Sequence, residues 1–175
     1  WHSVTGVQTC ALPISVAITM GDPAGIGPEV TVKALASRQL TGLADFLVIG
    51  DRRVLDRTAR SLGVRFAAPV LDLANVPAKL RRYGLSHPAL GAASVQYLDT
   101  ALGLARAGHA AAIVTAPINK ASVVSSGLAG FQGHTEYLAE KTASRDVVMM
   151  FVGAAFKVTL VTRHIALKDV PRALN

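Results

Sequence analysis

The stretch SVAITMGDPAGIGPEVTVKALAS, residues 15–37, contains the pattern of a strand, a loop and a helix. SVAITM is a short apolar run typical of a buried strand, and PEVTVKALAS places Val30, Ala34 and Leu35 at helical spacing. The loop between them, GDPAGIG, holds three glycines, one proline and one acid, and a second proline and a second acid follow at the start of the helix. This composition is typical either of a tight turn, with Pro28 in the first helical turn, or of a segment that holds a ligand.

The loop does not match the standard nucleotide-binding patterns. Gly25 and Gly27 fill the first two positions of G-x-G-x-x-G, but Val30 stands at the third, and Pro28 has no backbone N–H to donate. A P-loop ends in Gly-Lys-Ser/Thr, and the nearest lysine, Lys33, already lies inside the predicted helix. We therefore expect no dinucleotide fingerprint and no P-loop here.

The rest of the chain alternates short apolar runs with longer amphipathic ones. DFLVIGD predicts a second strand, followed by a helix with Val54, Leu55 and Leu62 on one side. An irregular region is expected over 67–88, and GAASVQYLDTALGLARAG then predicts a third helix. AAIVTAP predicts another strand, and DVVMMFVG and FKVTLVT predict two strands around a turn at Gly153. This alternation indicates an α/β fold with a largely parallel sheet covered by helices.

The composition is that of a globular protein. The chain has 175 residues, of which 51% are hydrophobic and 17% charged, enough for one domain or slightly more. The net charge of +7 comes from scattered bases, and only 5% of residues are aromatic, so no nucleic-acid partner is expected. One cysteine, Cys10, allows no internal disulfide, which suits a reducing cytoplasm. No apolar run reaches the roughly 18 residues of a membrane span, so no membrane partner is expected.

Residues 1–14, WHSVTGVQTCALPI, differ in character from the rest of the chain. They lack the basic start and continuous apolar run of a signal peptide, and they show neither helical nor strand periodicity. They resemble the translation of a sequencing adapter. We therefore expect a non-native leader at 1–14 and a native chain at 15–175.

Polar residues follow the predicted strands, where α/β sheets bind their ligands. Asp22 follows the first strand and is expected either to contact a ligand or to cap the loop. Asn119 and Lys120 follow AAIVTAP, and Lys120 is either a ligand contact or a solvated cation at a helix start. Arg163 and His164 follow FKVTLVT. A histidine in such a position is by itself more often a hydrogen-bonded structural residue than a metal ligand.

The segment GFQGHTEYLAE predicts a further helix that begins near its histidine. Gly133 precedes His134 and Thr135, so backbone N–H groups, a hydroxyl and an imidazole come together at the helix start. This combination suits a phosphate or a carboxylate.

Four motifs carry a family resemblance. TMGDPAGIGPE, TAPINK, GHTEYLAE and TRHIALKDVP, in this order and spacing, resemble the 4-hydroxythreonine-4-phosphate dehydrogenase family of pyridoxal phosphate biosynthesis, over residues 15–175. The resemblance implies an isocitrate/isopropylmalate dehydrogenase-like fold, which binds NAD or NADP without the standard glycine turn. Members of that family are considerably longer, so the resemblance also implies an amino-terminal portion, truncated before the carboxyl-terminal half.

The resemblance implies an activity and a set of site residues. The activity is NAD(P)-dependent oxidation of 4-phosphooxy-L-threonine to a 3-oxo acid, which decarboxylates to 3-amino-2-oxopropyl phosphate. His134 and Thr135 would contact the phosphorylated substrate, and His164 would bind a divalent metal (Zn, Mg or Co) that polarises the reacting oxygen. The family's other metal ligands lie in the missing half. We therefore expect a homodimeric enzyme at full length and weak metal binding and no activity for these 175 residues alone.

Two alternatives remain open. Close relatives acting on 4-phospho-D-threonate or 4-phospho-D-erythronate share the opening loop and the GHTE motif, so the sequence does not decide the substrate. A non-catalytic phosphate-binding domain, with GHTE as its anion site, belongs to a different functional class. A binding domain would not reduce NAD with any hydroxy-acid phosphate, so an activity assay separates it from the enzymes.

Overall fold

A computed structural model describes residues 15–163 and 165–174. The predicted leader and His164 therefore lie outside the described residues. The chain divides into two compact units, of which the first ends at Phe131 and the second begins at Gln132.

The first unit is built on a four-stranded parallel sheet. Its strand order is β3-β2-β1-β4, and the strands are β1 (Ser15–Thr19), β2 (Asp45–Gly50), β3 (Val70–Asp72) and β4 (Ala112–Thr115). In the register, Ala17 of β1 lies between Leu47 of β2 and Ile113 of β4. The parallel sheet confirms the predicted fold class. The irregular region predicted over 67–88 was wrong at β3, because a strand of three mostly exposed residues leaves no periodic pattern.

Helices cover this sheet. They are α1 (Gly27–Ala36), α2 (Arg52–Leu62), α3 (Pro88–Arg106) and α4 (Lys120–Ser125), with short 3₁₀ helices at Arg38–Leu40 and Ala78–Leu80. The third helix starts ahead of its predicted first residue, because Pro88 suits a first helical turn and Nδ1 of His87 accepts a hydrogen bond from the Ala89 N–H at 3.1 Å. The fourth helix has only six residues, too few for a recognisable period.

The face that α1 turns to the core matches the prediction only in part, because Leu35 packs against the core but Val30 and Ala34 are exposed. Thr31 and Val32 are buried, whereas Val30 is 42% exposed. A Cβ atom on Gly27 would overlap the carbonyl oxygen of Met20, so only glycine permits this close approach of the helix start to β1. The approach places positions 27, 28, 31 and 32 on the inner face, one helical turn apart.

The core of the first unit contains one fully buried carboxylate, Asp51. Its Oδ1 caps α2 by accepting hydrogen bonds from the N–H groups of Arg53 (3.0 Å) and Val54 (3.2 Å). Its Oδ2 accepts from the Val76 N–H at 3.1 Å. Asp51 thus ties the end of β2 to the helix and to the loop after β3. The same core holds large side chains that are fully buried, among them Ile49, Leu55, Leu90 and Tyr97.

The second unit holds one longer helix and a hairpin. Its elements are α5 (His134–Thr142), β5 (Met150–Val152), β6 (Lys157–Thr159), a 3₁₀ turn (Leu167–Asp169) and α6 (Val170–Ala173). The strands β5 and β6 are antiparallel, and the Gly153 N–H donates to the Phe156 carbonyl at 3.0 Å, which confirms the predicted pair of strands. Across the residues described, no helix is long and apolar enough to cross a membrane.

Candidate functional site

The glycine-rich loop after β1 packs on the loop after β4. Gly21 has a φ of +73°, and a Cβ atom there would overlap the Pro117 carbonyl oxygen. The Asp22 N–H donates to that same oxygen at 2.9 Å, and the Ala24 carbonyl accepts from the Gly84 N–H at 2.8 Å. Three segments therefore meet at the carboxyl edge of the sheet, where α/β folds bind ligands.

Asp22 is buried in this loop, with 6% of its surface exposed. Its Oδ1 accepts a hydrogen bond from the Ala24 N–H at 3.0 Å, which closes a turn over residues 22–24. Burial raises the pKa of the Asp22 carboxyl, and the hydrogen bond from Ala24 opposes part of that rise. The sequence left two roles open for Asp22, capping the loop or contacting a ligand. The structure shows the capping role, and the ligand contact stays a prediction.

We expect Asp22→Asn to flatten the pH dependence of stability. A carboxyl whose pKa is higher in the folded than in the unfolded state stabilises the fold when protonated, so its contribution is lost as pH rises through the folded pKa. Asparagine keeps the Oδ1 acceptor and removes the charge. Urea unfolding at about pH 4 and pH 7 measures this effect. Between the two pH values, the variant should lose less free energy of unfolding than the wild type. A change of equal size in both proteins would contradict the burial effect.

Asn119 and Lys120 stand at the start of α4, beyond the end of β4. Oδ1 of Asn119 accepts from the Ser122 N–H at 3.0 Å, so this side chain is the N-cap of the helix. Lys120 is the first helical residue and is exposed. The structure gives Asn119 a structural role, and direct ligand contacts by the two residues stay predictions.

The carboxylates at the ends of β2 and β3 accept hydrogen bonds from backbone N–H groups. In standard dinucleotide folds, an acid after the second strand binds the ribose. Here both oxygens of Asp51 accept backbone N–H groups, and Oδ1 of Asp72 accepts from Arg52 (3.0 Å) and Ala74 (2.9 Å). This arrangement agrees with the absence of a glycine fingerprint in the loop.

A chain of polar side chains that runs from buried Tyr97 to the surface had no signature in the sequence. The Tyr97 hydroxyl donates to Oδ1 of Asn75 at 2.7 Å, and Nδ2 of Asn75 donates to Oε1 of Gln96 at 2.7 Å. Burial, and then the charge of nearby Asp51, raises the pKa of Tyr97 far above its ordinary value. Tyr97 therefore remains a neutral hydrogen-bond donor and stabilises the loop after β3.

The GHTE motif forms the first turn of α5 in the second unit, as predicted. Gly133 precedes the helix and supplies no side chain to cap it. His134 and Thr135 are the first two helical residues, and both are half-buried. These residues belong to the first turn of the helix, whose N–H groups have no partner within the helix. The turn therefore combines the donors that an anion requires.

Glu136, the next residue, forms an ion pair that the sequence did not reveal. Nη1 of Arg163 donates to Oε1 of Glu136 at 3.0 Å, and each side chain is 26% exposed. The partners are 27 residues apart, so no local spacing rule could pair them.

Comparison with known proteins identifies the family. The sequence model described as "Pyridoxal phosphate biosynthetic protein PdxA" matches residues 42–175. This chain belongs to the PdxA family.

Members of the PdxA family resemble the chain over about half of their own length. A 4-hydroxythreonine-4-phosphate dehydrogenase from Burkholderia vietnamiensis is 43% identical over 178 residues, which cover 94% of this chain and 52% of the relative. A provisionally named D-threonate 4-phosphate dehydrogenase from Fusobacterium nucleatum is 35% identical over 176 residues, which cover 91% of this chain and 53% of the relative.

A solved structure agrees with these relatives. The crystal structure of a 4-hydroxythreonine-4-phosphate dehydrogenase from Burkholderia phymatum matches with a TM-score of 0.80 and 36% identity, over 92% of this chain and 53% of that one. The isocitrate/isopropylmalate dehydrogenase-like fold predicted for the PdxA chain is thereby confirmed.

The described part of the PdxA chain does not by itself form a metal centre. Within residues 15–163 and 165–174, no group of three or more His, Cys, Asp or Glu side chains is placed to hold a metal ion. His164, the predicted metal ligand, lies outside these ranges. Metal sites usually have about three or four protein ligands, so the described residues alone do not complete one.

Proposed function

We propose that this chain supplies the amino-terminal half of an NAD(P)-dependent dehydrogenase that oxidises 4-phosphooxy-L-threonine. The observation that carries the proposal is the uncapped helix start at His134 and Thr135, an anion-binding arrangement in a chain whose Burkholderia vietnamiensis relative bears the name of that enzyme. The chain covers 52% of that relative, so the activity is proposed for the longer protein.

The proposed reaction transfers a hydride from the secondary alcohol carbon to NAD or NADP, while the hydroxyl proton is released. The product is a 3-oxo acid whose carboxylate lies β to the new ketone. Loss of CO₂ then gives 3-amino-2-oxopropyl phosphate. The cofactor supplies the hydride acceptor, and the protein supplies binding and orientation.

Two residues carry the substrate-binding part of the proposal. The hydroxyl of Thr135 and the first-turn N–H groups of α5 would donate to an anionic group of the substrate, with the His134 imidazole beside them. Asp22, Asn119 and Lys120, at the carboxyl edge of the first unit's sheet, are a separate proposal for ligand contacts.

We propose His164 as one ligand of a divalent metal, Zn, Mg or Co, in the longer protein. Because the described residues contain no group of three ligands, we expect the chain to bind Zn²⁺ only weakly. Calorimetric titration should show that His164→Ala weakens this binding and that His109→Ala, after α3, does not. Tight Zn²⁺ binding by the wild-type chain would contradict the expectation of an incomplete site.

A chimera tests the proposed activity. Residues 15–175 would replace the matching half of the Burkholderia vietnamiensis relative, and reduction of NAD or NADP would be followed with 4-phosphooxy-L-threonine. We expect reduced cofactor to form. A chimera with a native circular dichroism spectrum and no turnover on any hydroxy-acid phosphate would contradict the proposal and favour a phosphate-binding domain.

The same assay decides between substrates. The Fusobacterium nucleatum relative favours 4-phospho-D-threonate as a second candidate, and 4-phospho-D-erythronate belongs to the same chemical class. Faster turnover of either compound than of 4-phosphooxy-L-threonine would replace the first proposal with the second. In either case we propose a cytoplasmic homodimer for the longer protein, without nucleic-acid or membrane partners.

A further inference from the structure

The ion pair between Glu136 and Arg163 joins two functional segments of the second unit. Glu136 directly follows His134 and Thr135, and Arg163 directly precedes His164. The contact of 3.0 Å between Nη1 and Oε1 is a charge-assisted hydrogen bond of ordinary length. Both side chains are 26% exposed, so water screens this pair less than one at the surface.

Because Glu136 lies in the first turn of α5, the group that pairs with its carboxylate affects how that turn can bind an anion. It is the third residue of α5, where a glutamate side chain commonly turns back to the N–H groups at the helix start. A carboxylate in the first turn is also stabilised by the helix dipole. Unless it is held elsewhere, its charge competes with an incoming anion for the same N–H groups. Here Oε1 of Glu136 accepts from Arg163, whose positive charge balances it.

We propose that Arg163 is a positioning residue for the anionic substrate. It holds the Glu136 carboxylate and neutralises it, so that His134, Thr135 and the first-turn N–H groups of α5 receive the substrate's own negative charge. Arg163 acts through Glu136, not as a direct ligand. The inference rests on the proposed function, which assigns the substrate to this turn.

A set of charge variants of the 175-residue chain tests this role. The measured quantity is the dissociation constant for 4-phosphooxy-L-threonine by calorimetry at low ionic strength. Arg163→Met should weaken binding about tenfold, because it frees a negative charge beside the ligand. Glu136→Gln should bind at least as tightly as the wild type. The double variant should return to within about threefold of the wild type, because no unbalanced carboxylate remains.

The double variant separates this role from a merely structural one. If the pair only stabilised the fold, the double variant would bind as weakly as Arg163→Met and would unfold at a similarly lowered temperature. Arg163→Lys keeps the charge and should recover part of the affinity. The exposed pair of Arg52 and Asp56, 4.0 Å apart, supplies the control, since Asp56→Asn should leave binding unchanged.

Three outcomes would overturn the inference: no binding by the wild-type chain, unchanged binding by Arg163→Met, or no recovery in the double variant. Failure of the proposed function is distinguishable from these. A chimera without turnover, together with the expected pattern of dissociation constants, would remove the dehydrogenase proposal and leave the positioning role of Arg163. An active chimera in which Arg163→Met does not raise the KM would remove the positioning role of Arg163 and leave the dehydrogenase proposal.

Discussion

Replacing Gly91 with alanine is expected to lower the free energy of unfolding by roughly 3 kcal/mol. Gly91 lies on the buried face of α3, where the helix crosses α4. A Cβ atom at this position would overlap the carbonyl group of Ser122 and lie 2.5 Å from the Val123 nitrogen. Those atoms belong to the backbone, so the new methyl group cannot be accommodated by a side-chain rotation. The two helices must move apart.

Displacement of either helix would also weaken the hydrogen bonds of Ser122. The Ser122 hydroxyl accepts from the His87 N–H at 3.2 Å and lies 3.0 Å from the Ser86 hydroxyl oxygen. These bonds connect α4 to the start of α3, so a shift of either helix weakens them as well. Urea unfolding followed by circular dichroism measures the loss, and an unfolding free energy within about 0.5 kcal/mol of the wild type would contradict the proposed close packing.

Gly103→Ala is the matched control on the same helix. Gly103 is exposed, and a Cβ atom there would meet no atom within 4 Å. Alanine favours helical backbone over glycine by about 0.5–1 kcal/mol, so this variant should be more stable than the wild type. The same substitution thus has opposite signs at two positions of α3, which isolates helix packing from helix propensity.

The sequence predicted the elements whose patterns are long and regular. The strands β1 and β2 are continuous apolar runs, and α3 extends over five turns, so each pattern outweighs local exceptions. The strands β5 and β6 have only three residues each, but they lie within the longer apolar runs DVVMMFVG and FKVTLVT, whereas no such run marks β3 or α4. The asparagine before α4 was a usable N-cap signal, but the position of Asn119 after a strand end favoured a ligand contact instead.

The inner face of α1 shows a second reason why sequence periodicity does not predict every buried residue. Periodicity alone favoured Val30 because it is apolar, but the helix rotation is set by Gly27, which allows contact with the Met20 carbonyl. That contact depends on the path of another chain segment. The GHTE helix start could be predicted because its glycine, histidine and threonine are adjacent in sequence. The partner of Glu136 could not, because it is 27 residues away.

The hydroxyl of Thr135 is expected to contribute a factor of roughly 10 to 100 to catalytic efficiency. A hydrogen bond to a charged group contributes about 1.5–3 kcal/mol, and each 1.4 kcal/mol is a tenfold change. Thr135→Val removes the hydroxyl and keeps the branched shape of the side chain. Because the proposed contact is to the substrate, the loss should appear in kcat/KM for 4-phosphooxy-L-threonine, while the KM for NAD or NADP stays unchanged.

The chimera with the Burkholderia vietnamiensis half is the protein in which to measure this effect, and α5 offers its own control. Thr142 is the last residue of that helix and is exposed, and its hydroxyl donates to the Leu138 carbonyl at 2.8 Å. Thr142→Val makes the same chemical change two turns away from Thr135, so it should leave kcat/KM unaltered. Equal kcat/KM values for Thr135→Val and Thr142→Val would contradict the substrate contact. A selective loss at Thr135, with the same melting temperature in both variants, would place the substrate at the start of α5, because only that end of the helix presents N–H groups without helical partners.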